Sequence, residues 1–158
     1  MTEAGDIVQL VVFAVGGQQF ACNIFQVERI LRWEDPTPLP KAPAFLEGVI
    51  QYQDGAVPLF DLRTRLGAAA EHRDETRIMI FETEVGKIGA VVDAVVEVRK
   101  VDGTRITPPS DVVRGLAAEY ISGIVRTGER TIVILALGRL LSSEERVALQ
   151  ELMVETEP

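Results

Sequence analysis

The side chains that could carry chemistry in this sequence are few and isolated. There is one cysteine, Cys22, and one histidine, His72. A metal site built on two imidazoles or on several thiolates is therefore excluded, as is an internal disulfide framework. Cys22 lies in an apolar predicted strand and is interpreted as a small core residue. His72 lies in a polar segment between two halves of the chain and is interpreted as a solvated surface residue.

Glycine-containing turns give no better case for catalysis. Asp54-Gly55 is similar to the catalytic turn of aspartic proteases, but the equivalent place in the second half is Thr127-Gly128, so the second carboxylate is missing. Gly16-Gly17 lacks the surrounding residues of a nucleotide-binding loop and is interpreted as a plain turn. The sequence therefore predicts a protein that is not an enzyme and that uses no cofactor and no metal.

Three charged residues interrupt apolar predicted strands: Asp61, Arg63 and Asp93. We interpret them as a salt bridge or a turn acceptor at the end of a strand, and a binding role is the alternative. Trp33 stands between an apolar segment and a proline-rich stretch. It could cover a core or anchor a partner, and the sequence leaves both interpretations open.

The composition is that of a folded globular protein. Of 158 residues, 47% are hydrophobic and 25% are charged, which supplies enough apolar surface for a core. Sixteen Lys and Arg against 24 Asp and Glu give a net charge of −8, which argues against nucleic acid as a partner. The acidic start and the short apolar run at 7–15 predict neither a signal peptide nor direct membrane insertion, so we expect a cytoplasmic protein.

Short runs of Val, Ile and Leu between glycine-containing turns predict a β protein. The proline-rich stretch 35–43 is expected to run extended over the surface. Ser142 and Glu145 have the spacing of a capping box, which predicts a helix from Ser142, and a shorter helix is predicted at 111–119. Four hairpins are expected, at 8–24, 48–62, 77–99 and 121–137.

The two halves of the chain share one apolar pattern. A shift of 68 residues aligns Phe13 with Phe81, and a shift of 75 residues aligns Gly48 with Gly123. We predict two small β-barrels, at about 15–75 and about 76–141, that share a core because each is too small to bury much surface alone. An acidic helix at 142–158 would follow them. The residues expected to be buried are Phe13, Ile24, Ile50, Leu59, Phe81, Val92, Ile124 and Ile134.

Seven stretches of the sequence form a pattern whose order along the chain is specific, although each stretch is weak evidence by itself. The stretches are 27–31, 39–50, 57–63, 89–98, 106–109, 120–123 and 140–141. Together they resemble the CheW-like coupling domain of bacterial chemosensory systems. The resemblance implies a single domain at 7–141 with two SH3-like, five-stranded barrels.

The resemblance also implies a function. Such proteins are non-enzymatic adaptors that bridge the cytoplasmic tips of chemoreceptors to a histidine kinase, whose regulatory domain has the same two-barrel fold. The receptor's helical hairpin would lie at the groove between the barrels, so the protein would be recruited to membrane receptor arrays. The alternatives are a CheW-related scaffold with a different or competing partner set and, more remotely, a small-molecule-binding barrel or an enzyme. The partner-binding residues implied are Val27, Arg29, Ile30 and Gly48 for the kinase, and Gln53 and Asp54 for the receptor.

At two of these places the charges depart from the family pattern. The family usually has Asn-Leu-Arg-Gly where this chain has Gln51–Asp54, and it often has an acid where Arg29 stands. The turn therefore lacks a guanidinium and carries an extra carboxylate. We expect a matching receptor to offer this turn a cationic donor, and we expect partners that are selected by charge.

Overall fold

A computed structural model describes residues 6–109 and 120–156 of the chain, and ten β-strands and two α-helices are assigned there. The helix predicted at 111–119 lies outside the described residues. The elements are β1 (Ile7–Val15), β2 (Gln18–Asn23), β3 (Val27–Arg32), β4 (Leu46–Tyr52), β5 (Gly55–Asp61), α1 (Leu62–Arg65), β6 (Arg77–Thr83), β7 (Gly86–Val92), β8 (Ala94–Asp102), β9 (Ile121–Thr127), β10 (Arg130–Leu135) and α2 (Ser143–Thr156).

The strands form two five-stranded sheets. Sheet A has the order β8-β1-β2-β10-β9, and sheet B has the order β3-β6-β7-β5-β4. Neighbouring strands are antiparallel except for β2 with β10 and β5 with β7, which are parallel. The predicted all-β class, with two five-stranded units and a C-terminal helix, is confirmed.

The sheets do not divide the chain between residues 75 and 76, where the sequence pattern placed the boundary of the barrels. Sheet A combines 7–23 with 94–135, and sheet B combines 27–61 with 77–92. Each sheet therefore takes its central hairpin from one half of the chain and three strands from the other. The reason is that the parallel pairings join a hairpin of one half to a strand of the other half.

The pairing registers reproduce the sequence repeat. Gly48 lies opposite Leu59 beside a β-bulge in sheet B, and Gly123 lies opposite Ile134 beside a β-bulge in sheet A. Both members of the second pair are 75 residues after the first. The two sheets are thus pseudo-equivalent, and each position in one sheet has a matched position in the other.

Most central strands are buried on both faces, and the buried residues form three apolar clusters, of which one joins the two sheets and each of the other two belongs to a single sheet. In β1, Leu10 and Val12 enter the cluster that belongs to sheet A alone, whereas Val11 and Phe13 enter the cluster shared by both sheets. Strand β6 alternates in the same way for sheet B. Burial of both faces explains the nearly continuous apolar runs in the sequence. Of the residues expected in the cores, Ile24 and Ile124 are only partly buried, and the others are buried: Phe13, Ile50, Leu59, Phe81, Val92 and Ile134.

Helix α2 is capped as its sequence predicts. The Ser142 hydroxyl accepts a hydrogen bond from the Glu145 backbone N–H at 3.1 Å, and the Glu145 carboxylate accepts one from the Ser142 N–H at 2.9 Å. Leu149 is buried in the shared cluster, and Arg65 pairs with Glu145 at 2.6 Å. Among the described residues, neither α1 nor α2 combines the length and apolarity that a membrane span requires.

Candidate partner-binding site

Strand β3 lies at the edge of sheet B, with β6 as its neighbour in the sheet. Val27 is half-buried and packs against the shared cluster, whereas Arg29 is exposed and Ile30 is 38% exposed. An edge strand with an exposed apolar side chain is a surface on which another strand or barrel can dock. The structure therefore places three of the predicted partner-binding residues on one accessible strand.

Gly48 is not on that accessible surface. It is buried in β4 with φ 144°, and a Cβ built on it would lie 2.5 Å from the Thr37 carbonyl oxygen. Thr37 is fixed there by backbone hydrogen bonds of 2.8 and 2.9 Å to Val49. The proline-rich stretch thus crosses closely over Gly48, which explains the glycine by backbone geometry. A substitution at Gly48 therefore affects folding first, and it reports on the predicted kinase contact only in a variant that is folded.

The turn at Gln53 and Asp54 is an exposed two-residue loop between β4 and β5. Gln53 has φ 52°, a value that glycine adopts readily and other residues rarely do. The pseudo-equivalent loop in sheet A has Gly128 at that position, with φ 64°. Gln53 therefore occupies a glycine-type backbone position at an exposed loop tip.

A hydrogen-bonded network links this turn to β3. The Lys87 ammonium lies 3.2 Å from the Gln53 amide oxygen and 3.0 Å from the Glu28 carboxylate. The Tyr52 hydroxyl donates to the same carboxylate at 2.7 Å, and the Lys87 Nζ lies 5.4 Å from the centre of the Tyr52 ring. The hydrogen bond from Tyr52, and then that from Lys87, lowers the pKa of Glu28, and the bonds to Glu28 raise the pKa values of Tyr52 and Lys87.

Sequence reasoning missed Glu28, Tyr52 and Lys87 as site residues. Lys87 lies near the start of β7, far from the turn in sequence, and the parallel pairing of β5 with β7 brings it close. The network unites the turn with the strand that carries Val27, Arg29 and Ile30, so these two predicted contact regions are neighbours in space.

A second cluster of charges surrounds Arg63, whose side chain is fully buried. Its Nε and Nη2 atoms each donate to Asp61 at 2.9 Å, and Nη1 lies 3.3 Å from Asp93. Nη1 also donates to the Glu71 carbonyl at 2.7 Å. These contacts agree with the salt-bridge interpretation of Asp61, Arg63 and Asp93, and they hold the segment between α1 and β6 against both sheets.

His72 and Trp33 complete this cluster. Their rings stack with centroids 3.8 Å apart, and the His72 Nδ1 lies 3.1 Å from the Arg63 Nη2. Trp33 packs against the cluster that belongs to sheet B alone, which agrees with the interpretation that it covers a core. His72 is exposed as expected, but it is held by two neighbours because its segment folds back over Arg63.

A cavity of about 540 Å³ lies beside Gly16, Gly17 and Asp93, and its charged side chains are of mixed sign. No group of three or more His, Cys, Asp or Glu residues in the described part of the chain could hold a metal ion. Cys22 is buried, and burial raises the pKa of its thiol to about 12, so it is not a poised nucleophile.

Comparison with known proteins gives consistent matches over most of the chain. A model of the CheW-like domain matches residues 9–145. Chemotaxis protein CheW from Treponema pallidum (strain Nichols) is 32% identical over 142 residues, which cover 87% of this chain and 84% of the relative. Chemotaxis protein CheW from Rhizobium meliloti (strain 1021) is 33% identical over 141 residues, which cover 89% and 91%.

A solved structure agrees with these relatives. The crystal structure of scaffolding protein TtCheW from Thermoanaerobacter tengcongensis superimposes with a TM-score of 0.80 at 30% sequence identity. The superposition covers 89% of this chain and 91% of that one. The two five-stranded sheets therefore have the SH3-like fold expected from the sequence.

Proposed function

The chain belongs to the CheW-like domain family, and from this membership we propose that it is a non-enzymatic adaptor that couples chemoreceptors to a histidine kinase in a bacterial chemosensory complex. The observation that carries the proposal is the match of one domain over residues 9–145, which includes both sheets except the first two residues of β1. A protein of this kind works through its surface, in keeping with an exposed edge strand and a network of charges at a turn.

The proposed partners follow from the two contact regions. Strand β3, with Val27, Arg29 and Ile30, would meet the regulatory barrel domain of the kinase, because an edge strand with apolar side chains suits a partner barrel. The turn at Gln53 and Asp54 would meet the helical tip of a chemoreceptor. The protein would then work in the cytoplasm and be recruited to receptor arrays at the membrane.

We expect Ile30→Asp to weaken binding of the kinase regulatory domain by about tenfold or more, because a carboxylate would enter an apolar contact. The side chain is 38% exposed in the free protein, so the fold should tolerate the change. Titration by calorimetry, with circular dichroism of each variant, measures both effects.

The matched control is Val98→Asp. Val98 is the pseudo-equivalent of Ile30 on β8, an edge strand of sheet A, and it is 51% exposed. The Val98→Asp variant should bind the kinase regulatory domain with the affinity of the wild type. Equal affinities of the wild type and Ile30→Asp would contradict the contact at β3. If the wild type binds neither a kinase domain nor a receptor fragment, the proposed function itself is wrong.

A CheW-related scaffold with a different partner set is the second candidate. The differences from the family pattern at Arg29, Gln53 and Asp54 favour it, since changed charges at contact residues discriminate between partners. Binding of a kinase barrel without binding of any receptor hairpin would select this candidate.

A further inference from the structure

Gln53 has a strained backbone conformation that a glycine at the same position would adopt without strain. Its φ of 52° lies in the left-handed region, where a side chain is disfavoured, and the matched position in sheet A is a glycine with φ 64°. Backbone strain of this kind persists where the side chain has a use. The fold needs only the backbone geometry at this loop, so the use must be sought in the Gln53 amide group.

The Gln53 amide and Lys87 place hydrogen-bond donors side by side. The Gln53 oxygen accepts from Lys87, so its NH₂ group is directed elsewhere, and it has no hydrogen-bond partner among residues 6–109 and 120–156. The Lys87 ammonium has three N–H donors, of which Gln53 and Glu28 take two. The Lys87 side chain is 34% exposed and borders an open depression of about 300 Å³ that Tyr52, Gln53 and Asp54 also line.

We propose that Lys87 and the Gln53 amide form a binding site for a carboxylate on the receptor tip. In the free adaptor, the Glu28 carboxylate pairs with Lys87 in its place. This inference rests on the proposed function. It reverses the expectation that the turn needs a cationic partner, because that expectation counted Asp54 but not Lys87, which only the fold brings to the turn.

The competition between Glu28 and a partner carboxylate makes the role of Lys87 measurable. Lys87→Met removes the cation, whereas Glu28→Gln keeps the cation and releases it from its internal partner. A glutamine at 28 can still accept the hydrogen bond from Tyr52. If the ion pair were only structural, the two variants would have similar effects; if Lys87 binds the partner, their effects have opposite signs.

The test is a titration with a chemoreceptor hairpin fragment that carries one exposed glutamate at its tip, and with the same fragment carrying glutamine there. We expect Lys87→Met to weaken binding of the glutamate fragment by about three- to tenfold, and Glu28→Gln to strengthen it by about two- to fivefold. Lys100→Met, at an exposed lysine on β8, is the matched control and should bind like the wild type. With the glutamine fragment the differences should vanish.

Two outcomes would overturn the inference and leave the adaptor function standing. One is equal weakening by Lys87→Met and Glu28→Gln. The other is tighter binding by Lys87→Met together with weaker binding by Asp54→Asn, which would make the partner group a cation. If the wild type binds the kinase domain but neither fragment, the inference fails with the receptor contact; if it binds nothing, the proposed function fails as well.

Discussion

Replacement of Arg63 by methionine should lower the free energy of unfolding by about 3–5 kcal/mol, because it leaves a buried carboxylate without its partner. Asp61 is 5% exposed, and both of its oxygens accept hydrogen bonds from the Arg63 guanidinium. The same change removes the contacts from Arg63 to Asp93 and to the Glu71 carbonyl. Urea denaturation followed by circular dichroism gives the difference directly.

Two controls identify the cause of that loss. Arg73→Met removes an exposed ion pair with Glu71, whose side chains are 71% and 69% exposed, and should change stability by less than about 1 kcal/mol. The double variant Asp61→Asn, Arg63→Met removes the buried negative charge and should regain part of the stability lost in Arg63→Met. A loss below about 1 kcal/mol in Arg63→Met would show that water reaches Asp61 and that the cluster is not needed for the fold.

Gly48→Ala should destabilise the protein by about 3–5 kcal/mol, which combines backbone strain with overpacking. The new Cβ would lie 2.5 Å from the Thr37 carbonyl oxygen, and φ is 144°. That oxygen cannot move away without breaking the bridge between Thr37 and Val49. Chemical denaturation of the purified variant measures the loss.

Gly123→Ala is the pseudo-equivalent control in sheet A. Its new Cβ would lie 2.7 Å from the Cγ2 methyl of Ile106, which is a side-chain atom and not part of the backbone, and 3.3 Å from the Thr107 carbonyl oxygen. We expect a loss of about 1–2 kcal/mol there. Equal losses in the two variants would mean that the crossing over Gly48 is loose. Because substitution of Gly48 is expected to destabilise the fold this strongly, loss of partner binding in a Gly48 variant is evidence of a contact only if the variant is folded.

Burial of the central strands was predictable because their apolar runs are nearly continuous. In β1 the run Leu10–Val15 is apolar throughout, since Val11 and Phe13 enter one cluster and Leu10 and Val12 another. The capping box at Ser142 was predictable for a similar reason, since its two hydrogen bonds join residues three apart. Features of this kind depend only on residues that are close in sequence, so they can be predicted before the fold is known.

Membership of strands in sheets was not predictable in this way. Phe20 lies opposite Val133 in the parallel pair of β2 with β10, and neither sequence segment contains a signal that identifies the other as its partner. The repeat suggested two units that follow one another along the chain, whereas each unit exchanges its first hairpin with the other. An apolar run indicates that a strand is buried, but which strand it pairs with depends on the packing of the whole sheet.

By itself, the sequence determined the all-β class, the twofold repeat and the family, because these rest on residue types and on their order along the chain. Only the tertiary structure decided that Gly48 is covered by Thr37 and that Lys87 reaches Gln53. Both depend on how segments distant in sequence cross in space. A carbonyl 2.5 Å from a missing Cβ, or an ammonium 3.2 Å from an amide oxygen, exists only once the strands between them are paired.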